Sequence, residues 1–335
     1  MKPIFMIGTQ RSGSNLLRLM LNQLPEIASP HPPHIMQRMV PLVPYYGDLS
    51  RRDNFMMLVD DVCKLVELNP VVWENVVLDR DEVAGRCRDQ SLVAILGAVY
   101  DLYAEGQGKT MWCNKSLANV NYGDEIERYF DAPKFLYLYR DGRDVAVSFA
   151  KAVVGEKHYY HIAKDWVAAQ EKALALRDKI SSDRFFMLSY EQLTGETEAT
   201  AQRLCAFLGT EYTPEMLEFH QTDEAKRAAE SSSLWNNVVK PVMKDNTKKF
   251  LREATEEQIR IFENVAGHVL DELGYARVFT EPGSTHHYSQ DEIAAFDAEN
   301  ERLKKQVRDS MDQGDLERRD RQAGLLKEIQ ARIAA

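Results

Sequence analysis

Cysteine is scarce in this chain, and none of it is arranged for chemistry. Four cysteines occur among 335 residues, Cys63, Cys87, Cys113 and Cys205, and no two form a C-x-x-C pair. They read as reduced, mostly buried thiols rather than a redox or catalytic centre. No hydrophobic run approaches the roughly 20 residues of a membrane span. The opening Met1–Gly8 is apolar for only a few residues before Arg11, too short for the core of a secretory signal. The expected address is therefore the cytoplasm. Basic residues are outnumbered, 42 against 52 acids, for a formal charge of −10. That balance argues against a nucleic-acid partner and against non-specific binding to anionic membranes. A local anion site survives it, because distant charge is screened within roughly 10 Å.

Apolar runs and helical spacings alternate along most of the chain. Ile4–Ile7 reads as a strand buried on both faces, ending at Gly8. Leu17, Met20, Leu21 and Leu24 then recur at helical spacing until Pro25 stops them. Glu26–Ser29 is a short extended piece, followed by a proline-rich loop, Pro30–His34. Residues from about Asp53 to Glu105 are mainly helical. Further strands are expected at Met111–Cys113, Lys134–Tyr139 and Phe185–Leu188. Helices are expected at about Asp144–Lys151, Tyr160–Lys179, Glu196–Leu208 and Glu256–Leu273. This order predicts an α/β, P-loop-like three-layer fold with a central parallel sheet flanked by helices, plus a C-terminal helical extension. The expected division is a domain over 1–283, with a helical acceptor cap at about 40–108, and an extension over 284–335. In that extension Ile293, Phe296, Asn300, Leu303 and Val307 follow an a/d spacing. The helix is expected to pack on its own subunit or on a partner, a homodimer included, or else to remain a solvated tail.

The segment that carries chemistry is Gly8-Thr9-Gln10-Arg11-Ser12-Gly13-Ser14-Asn15. A loop from a buried strand into a helix start turns backbone N–H groups toward one point, and the helix dipole adds positive charge there. Gly8 and Gly13 permit close backbone approach, Ser12 and Ser14 add hydroxyls, and Arg11 adds a guanidinium fork. The glycines match G-x-x-x-x-G-K-[ST], but Ser14 stands where the lysine belongs and Asn15 where the metal-binding hydroxyl belongs. Lys134–Tyr139 also leads into Arg140 rather than an acidic magnesium ligand. The loop suits an anion, but not a magnesium nucleoside triphosphate.

G-T-Q-R-S-G-S-N-L-L resembles the 5'-phosphosulfate loop of sulfotransferases dependent on 3'-phosphoadenosine 5'-phosphosulfate (PAPS). It is nearest the tyrosylprotein and bacterial trehalose-type branch. Asn114-Lys115 is similar to that family's N-K pair after the third strand. Phe135–Ser148 resembles its 3'-phosphate strand and helix, with Arg140 and, eight residues on, Ser148. Tyr190-Glu191-Gln192-Leu193 matches its Y-E-x-L, and Val239-Lys240-Pro241-Val242 is similar to a late segment closing over the nucleotide. The resemblance covers roughly residues 3–277 and implies sulfuryl transfer from PAPS to an acceptor hydroxyl, leaving the desulfonated nucleotide PAP. It implies nucleotide contacts from Arg11, Ser12, Gly13, Ser14, Asn15, Arg140, Ser148, Tyr190 and Lys240. Arg11 and Lys115 hold the leaving phosphate, so no metal is required.

The related enzymes carry a glutamate just beyond the second strand, where this chain has Pro30-His31-Pro32-Pro33-His34 and no acid. An imidazole with an ordinary pKa near 6.5 suits a hydroxyl proton acceptor near neutrality. Both His31 and His34 are in range, with His31 preferred. No third His, Cys or acidic ligand accompanies the pair, which argues against a metal. Tyr45, Tyr46, Trp73 and Trp235 are candidates to line the acceptor pocket, and the acceptor's class is open. Two other readings share the pattern: a P-loop kinase of a small hydroxyl compound, and a non-catalytic sulfotransferase-like interaction module.

Overall fold

The structure is a computed structural model that describes residues 1–231, 233–310 and 313–334. Strands β1 (Lys2–Gly8), β2 (Ile27–Ala28), β3 (Met111–Asn114), β4 (Lys134–Tyr139) and β5 (Phe185–Ser189) form one sheet in the order β2-β3-β1-β4-β5. Every pairing is parallel, as the α/β expectation requires. Successive strand residues point to opposite faces, and here both faces are apolar. Phe5, Ile7, Trp112, Phe135 and Tyr137 join one core cluster, while Ile4, Met6, Cys113, Leu136 and Leu138 join another. That is why β1 and β4 read as unbroken hydrophobic runs.

Helices α1 (Ser14–Asn22), α2 (Ile35–Met39), α3 (Arg52–Glu67), α4 (Arg80–Arg86), α5 (Leu92–Gly106) and α6 (Gly123–Tyr129) precede β4. After it come α7 (Gly142–Lys151), α8 (Tyr159–Lys179), α9 (Tyr190–Gly195), α10 (Thr197–Leu208), α11 (Asp223–Ser231), α12 (Phe250–Glu253) and α13 (Glu256–Glu272). The chain ends in α14 (Gln290–Asp309) and α15 (Gln313–Ala334). The stretch expected as mainly helical from Asp53 to Glu105 is three helices, with residues 68–79 non-helical around Pro70. Helix α7 begins two residues earlier than expected, because Asp141 accepts from the Arg143 N–H and caps it. The Y-E-x-L motif follows β5 directly and opens α9, under a capping box of Ser189 and Gln192.

The connection from β3 to β4 jumps across β1, so the order reverses between β1 and β4. Open parallel sheets bind ligands at the carboxyl ends of strands at such a switch. The loops leaving those two ends begin at Thr9 and at Arg140.

The first three positions of the a/d spacing pack within the chain. Ile293 and Phe296 pack with Tyr160 and Tyr288, and Phe296 stacks on His158 at 4.6 Å. Asn300 is no register-setting residue: its side-chain oxygen accepts from the N–H groups of Lys157 and His158 at 2.9 and 3.0 Å. Leu325 and Ile329 of α15 enter the main core. The four cysteines are free thiols. Among the described residues no helix is long and apolar enough to cross a membrane.

Candidate active site

Gly8 ends β1 so close to β4 that a Cβ there would lie 2.2 Å from the Leu138 carbonyl oxygen. The next turn starts from a fixed point, because Tyr137 donates to Gln170 at 2.6 Å and Gln170 donates to Thr9. Arg11 and Gly13 then take positive φ values of 71° and 88°, which curls the loop back over the start of α1. Tyr190 lies against Gly13, where any Cβ would meet its ring at 2.4 Å. No side chain caps α1, so its first N–H groups are left for a ligand.

Two clefts meet at this loop. The first, of about 420 Å³, is lined by Arg11, Gly13, Ser14, Asn15, Arg140, Ser148, Tyr190 and Lys240. These are eight of the nine residues expected to hold the nucleotide, gathered from four separate segments. Ser12 is the exception: it is fully buried behind the loop, and its side chain is not part of this wall. The cleft's polar walls are tied to one another. Arg11 Nε donates to Ser148 Oγ at 2.9 Å. Arg140 donates to the carbonyls of Arg11 and Asn246 at 3.0 and 2.6 Å and lies 4.3 Å over the Tyr190 ring. Burial, reinforced by Arg140, lowers the Arg11 pKa. Asn15 Oδ1 and Arg140 Nε are buried without a hydrogen-bond partner, and Asp144 Oδ2 lies 3.7 Å from Arg140 Nη2 as a buried ion pair.

The second cleft, of about 470 Å³, shares Arg11, Ser14, Asn15 and Trp235 with the first and adds His31, His34 and Lys115. All four expected catalytic residues therefore share one wall. Lys115 is held by the turn after β3, where Asn114 Oδ1 accepts from Ser116 N and Asn119 Nδ2, each at 3.0 Å. Burial, then Arg18 and Arg11, pushes its pKa down to about 7. Ser116 Oγ meets His34 Nδ1 at 3.0 Å, and His34 itself sits in the left-handed region at φ 59°.

His31 is anchored more completely. Trp73 Nε1 and Asn69 Nδ2 donate to its carbonyl at 2.7 and 2.9 Å. Asn69 spends its other amide hydrogen on the Val71 carbonyl at 2.9 Å; its Nδ2 and Oδ1 lie 3.3 and 3.4 Å from His31 Nδ1, and with both amide hydrogens taken by carbonyls only Oδ1 can hydrogen-bond to Nδ1. The proton of neutral His31 thus belongs on Nδ1. Its Nε2 is buried with no partner. Burial first, then Arg18, Lys115 and His34, holds His31 well below the usual histidine pKa. His34 is lowered in the same way by burial, Lys115 and Arg38.

The expected acceptor-pocket aromatics divide. Trp235 lines both clefts and meets the His31 ring at 4.5 Å. Trp73 is buried against Tyr100 and Tyr103, Tyr46 is buried with its hydroxyl on Asp61, and Tyr45 faces solvent. Asn69, Asn246, Arg18 and Arg38 were not legible as site residues. Only Arg38 carries a signal, standing one helical turn after His34. Among the described residues no cluster of three or more His, Cys, Asp or Glu side chains is placed to hold a metal ion.

A family model described as "Sulfotransferase family" matches residues 3–214. The chain belongs to the sulfotransferase family, whose general chemistry is transfer of a sulfuryl group. Its curated relatives include a protein-tyrosine sulfotransferase of Drosophila melanogaster, 23% identical over 281 residues, covering 81% of this chain and 51% of that protein. Protein-tyrosine sulfotransferase 2 of Gallus gallus is 22% identical over 291 residues, covering 84% and 72%. The chain thus spans about half the length of the fly protein. Among solved structures, the sulfotransferase domain of the Synechococcus PCC 7002 olefin synthase superposes with a TM-score of 0.54 at 21% identity, covering 78% of this chain and 94% of that one. The sulfotransferase domain of the curacin biosynthetic pathway gives 0.55 at 19% identity, covering 83% and 99%. These two superpositions show the shared fold.

Proposed function

We propose that the protein transfers a sulfuryl group from PAPS to an acceptor hydroxyl. The observation that carries this reading is the convergence of residues 11–15, 140–148, 190 and 240 on one cleft, joined to a second cleft that holds a lysine and two neutral histidines. The start of α1, with Arg11, Ser14 and Asn15, takes the phosphosulfate end of the donor. Arg140, Ser148 and Lys240 take the 3'-phosphate, the group that separates this donor from an ordinary nucleotide.

His31 Nε2 removes the acceptor's proton. The acceptor oxygen attacks sulfur in line as the bond from sulfur to the 5'-phosphate oxygen breaks. Arg11 and Lys115 stabilise the negative charge that gathers on the departing PAP. These cations and α1 supply the charge that a metal ion supplies in kinases. The free thiols are in keeping with a reducing compartment such as the cytoplasm.

PAP should bind in the presence of a metal chelator and raise the melting temperature. Stabilisation by magnesium ATP alone would favour a kinase, and stabilisation by neither a non-catalytic module. Lys115 gives the binding a pH signature. In the free protein its pKa is about 7, and an anion beside it favours the charged form, so its pKa rises on binding. The complex then holds more protons than its separated parts, and affinity falls as pH rises above 7. Calorimetry at pH 8 in buffers of different ionisation enthalpy should show proton uptake that disappears in Lys115→Met. Absence of uptake in the wild type would remove Lys115 from the phosphate site.

A further inference from the structure

The second cleft holds a cation that the sulfuryl-transfer reading leaves unused. Arg38 lines it beside His34, Lys115 and Arg11, and among the described residues no carboxylate belongs to its wall. Arg38 is one helical turn beyond His34, its N–H bonded to the His34 carbonyl at 3.0 Å. Among the described residues no acid lies within ion-pair distance of the Arg38 guanidinium. Burial alone lowers its pKa.

Among the described residues its side-chain partner comes from the far end of the chain. Arg38 Nη1 donates to Gln322 Oε1 at 2.5 Å, and Gln322 Nε2 donates to the Leu65 carbonyl at 2.8 Å. A backbone carbonyl only accepts, so the Gln322 amide nitrogen must face Leu65 and its oxygen must face Arg38. Gln322 is itself buried and sits on α15, whose Leu325 and Ile329 are in the core. The amide is therefore fixed in place and in orientation. A glutamate there would both orient the guanidinium and cancel its charge. Glutamine orients it and leaves the charge for a ligand.

We propose that Arg38 binds an oxyanion carried by the acceptor, and that Gln322 is the positioning residue that aims it. Resting on the sulfotransferase reading above, the assignment names the acceptor class: a hydroxyl compound that also bears a carboxylate or another oxyanion of like geometry. Arg11 and Lys115 are engaged by the donor, so Arg38 is the cation left to discriminate acceptors. Gln322 lies well beyond the residues matched by the family model.

The test is calorimetric titration of the PAP-saturated full-length protein with three matched pairs: 4-hydroxyphenylacetate, glycerate and glucuronate, each against its amide. In at least one pair the acid should bind about tenfold or more tightly than the amide, the scale of one charge-assisted hydrogen bond. Arg38→Ala should bring that ratio to about one while leaving PAP affinity unchanged. Gln322→Glu, which keeps size and supplies the missing carboxylate, should do the same, and Gln322→Ala should reduce the ratio partway. A merely structural Gln322 would lower stability without moving the ratio. Equal binding of acid and amide in all three pairs, or a ratio that survives Arg38→Ala, overturns the proposal. A fall in PAP affinity matching the fall in acid affinity would assign Arg38 to the donor instead. Failure of the wild type to bind PAP at all strikes the donor reading and takes this assignment with it.

Discussion

Replacing His31 with alanine is expected to slow turnover by roughly two to four orders of magnitude, with PAP affinity nearly intact. The expectation rests on how the ring is held. Asn69 and Trp73 lock the His31 carbonyl, and the two donations of Asn69 oblige its oxygen to face Nδ1. The lone pair is left on Nε2, buried and unpartnered, in a residue that lines the second cleft. Because burial and nearby cations hold its pKa well below 6.5, His31 is in its basic form at neutral pH. The rate should therefore lack an acid limb in the ordinary histidine range. His34→Ala is the control: its Nδ1 is engaged by Ser116, and a smaller loss is expected. Single-turnover kinetics of both variants separate the proton step from binding. Wild-type rates in both would remove histidine from the mechanism.

Replacing Arg140 with alanine should weaken PAP binding by about a hundredfold or more. A guanidinium gripping a phosphate makes two charge-assisted hydrogen bonds, each worth about 1.5–3 kcal/mol. Arg140 also ties the Arg11 loop to Asn246, and Asn246 in turn donates to the Tyr190 hydroxyl at 2.7 Å. Its loss should thus loosen both ends of the nucleotide cleft. Arg140→Lys keeps the charge without the fork or the flat face over Tyr190, so it should recover only part of the affinity. Calorimetry with PAP measures both. An Arg140→Ala protein that binds PAP as tightly as wild type would place the 3'-phosphate elsewhere.

Much of this site was legible in the chain, and the reasons are local. A buried strand, a glycine turn and an amphipathic helix must follow one another closely, so the Arg11 loop announces itself. The two arginines around Asp141 show where reading stops. Arg140 and Arg143 are chemically identical three residues apart, yet Arg143 turns inward to Asp141 and Glu263 at 2.8 and 2.7 Å. Family resemblance, and not charge or spacing, singled out Arg140, which lines the first cleft. Ser12 could not be told from Ser14, because which side of a tight turn faces the ligand depends on dihedral angles no motif records. Tyr46 and Trp73 were assigned to a pocket because a large ring looks the same in a core, whereas Tyr45 faces solvent. The heptad of α14 was a true amphipathic face whose partner lay in α8, and periodicity reveals the face but never the partner. Asn69, Asn246 and Gln322 escaped altogether, being lone amides brought in over long sequence distances.

The docking of α15 on α3 reaches beyond stability. Burial of Leu325 and Ile329 is worth about 1.5–3 kcal/mol each, and Arg332 of the same helix pairs with buried Asp61. A gene shortened to end at residue 283 would still encode every signature that relates the protein to its kin. Its product would bare a greasy trough along α3 and strand Asp61 without a counter-ion. For anyone trimming this chain toward a minimal stable unit, completeness of signatures is a misleading guide to where that unit stops.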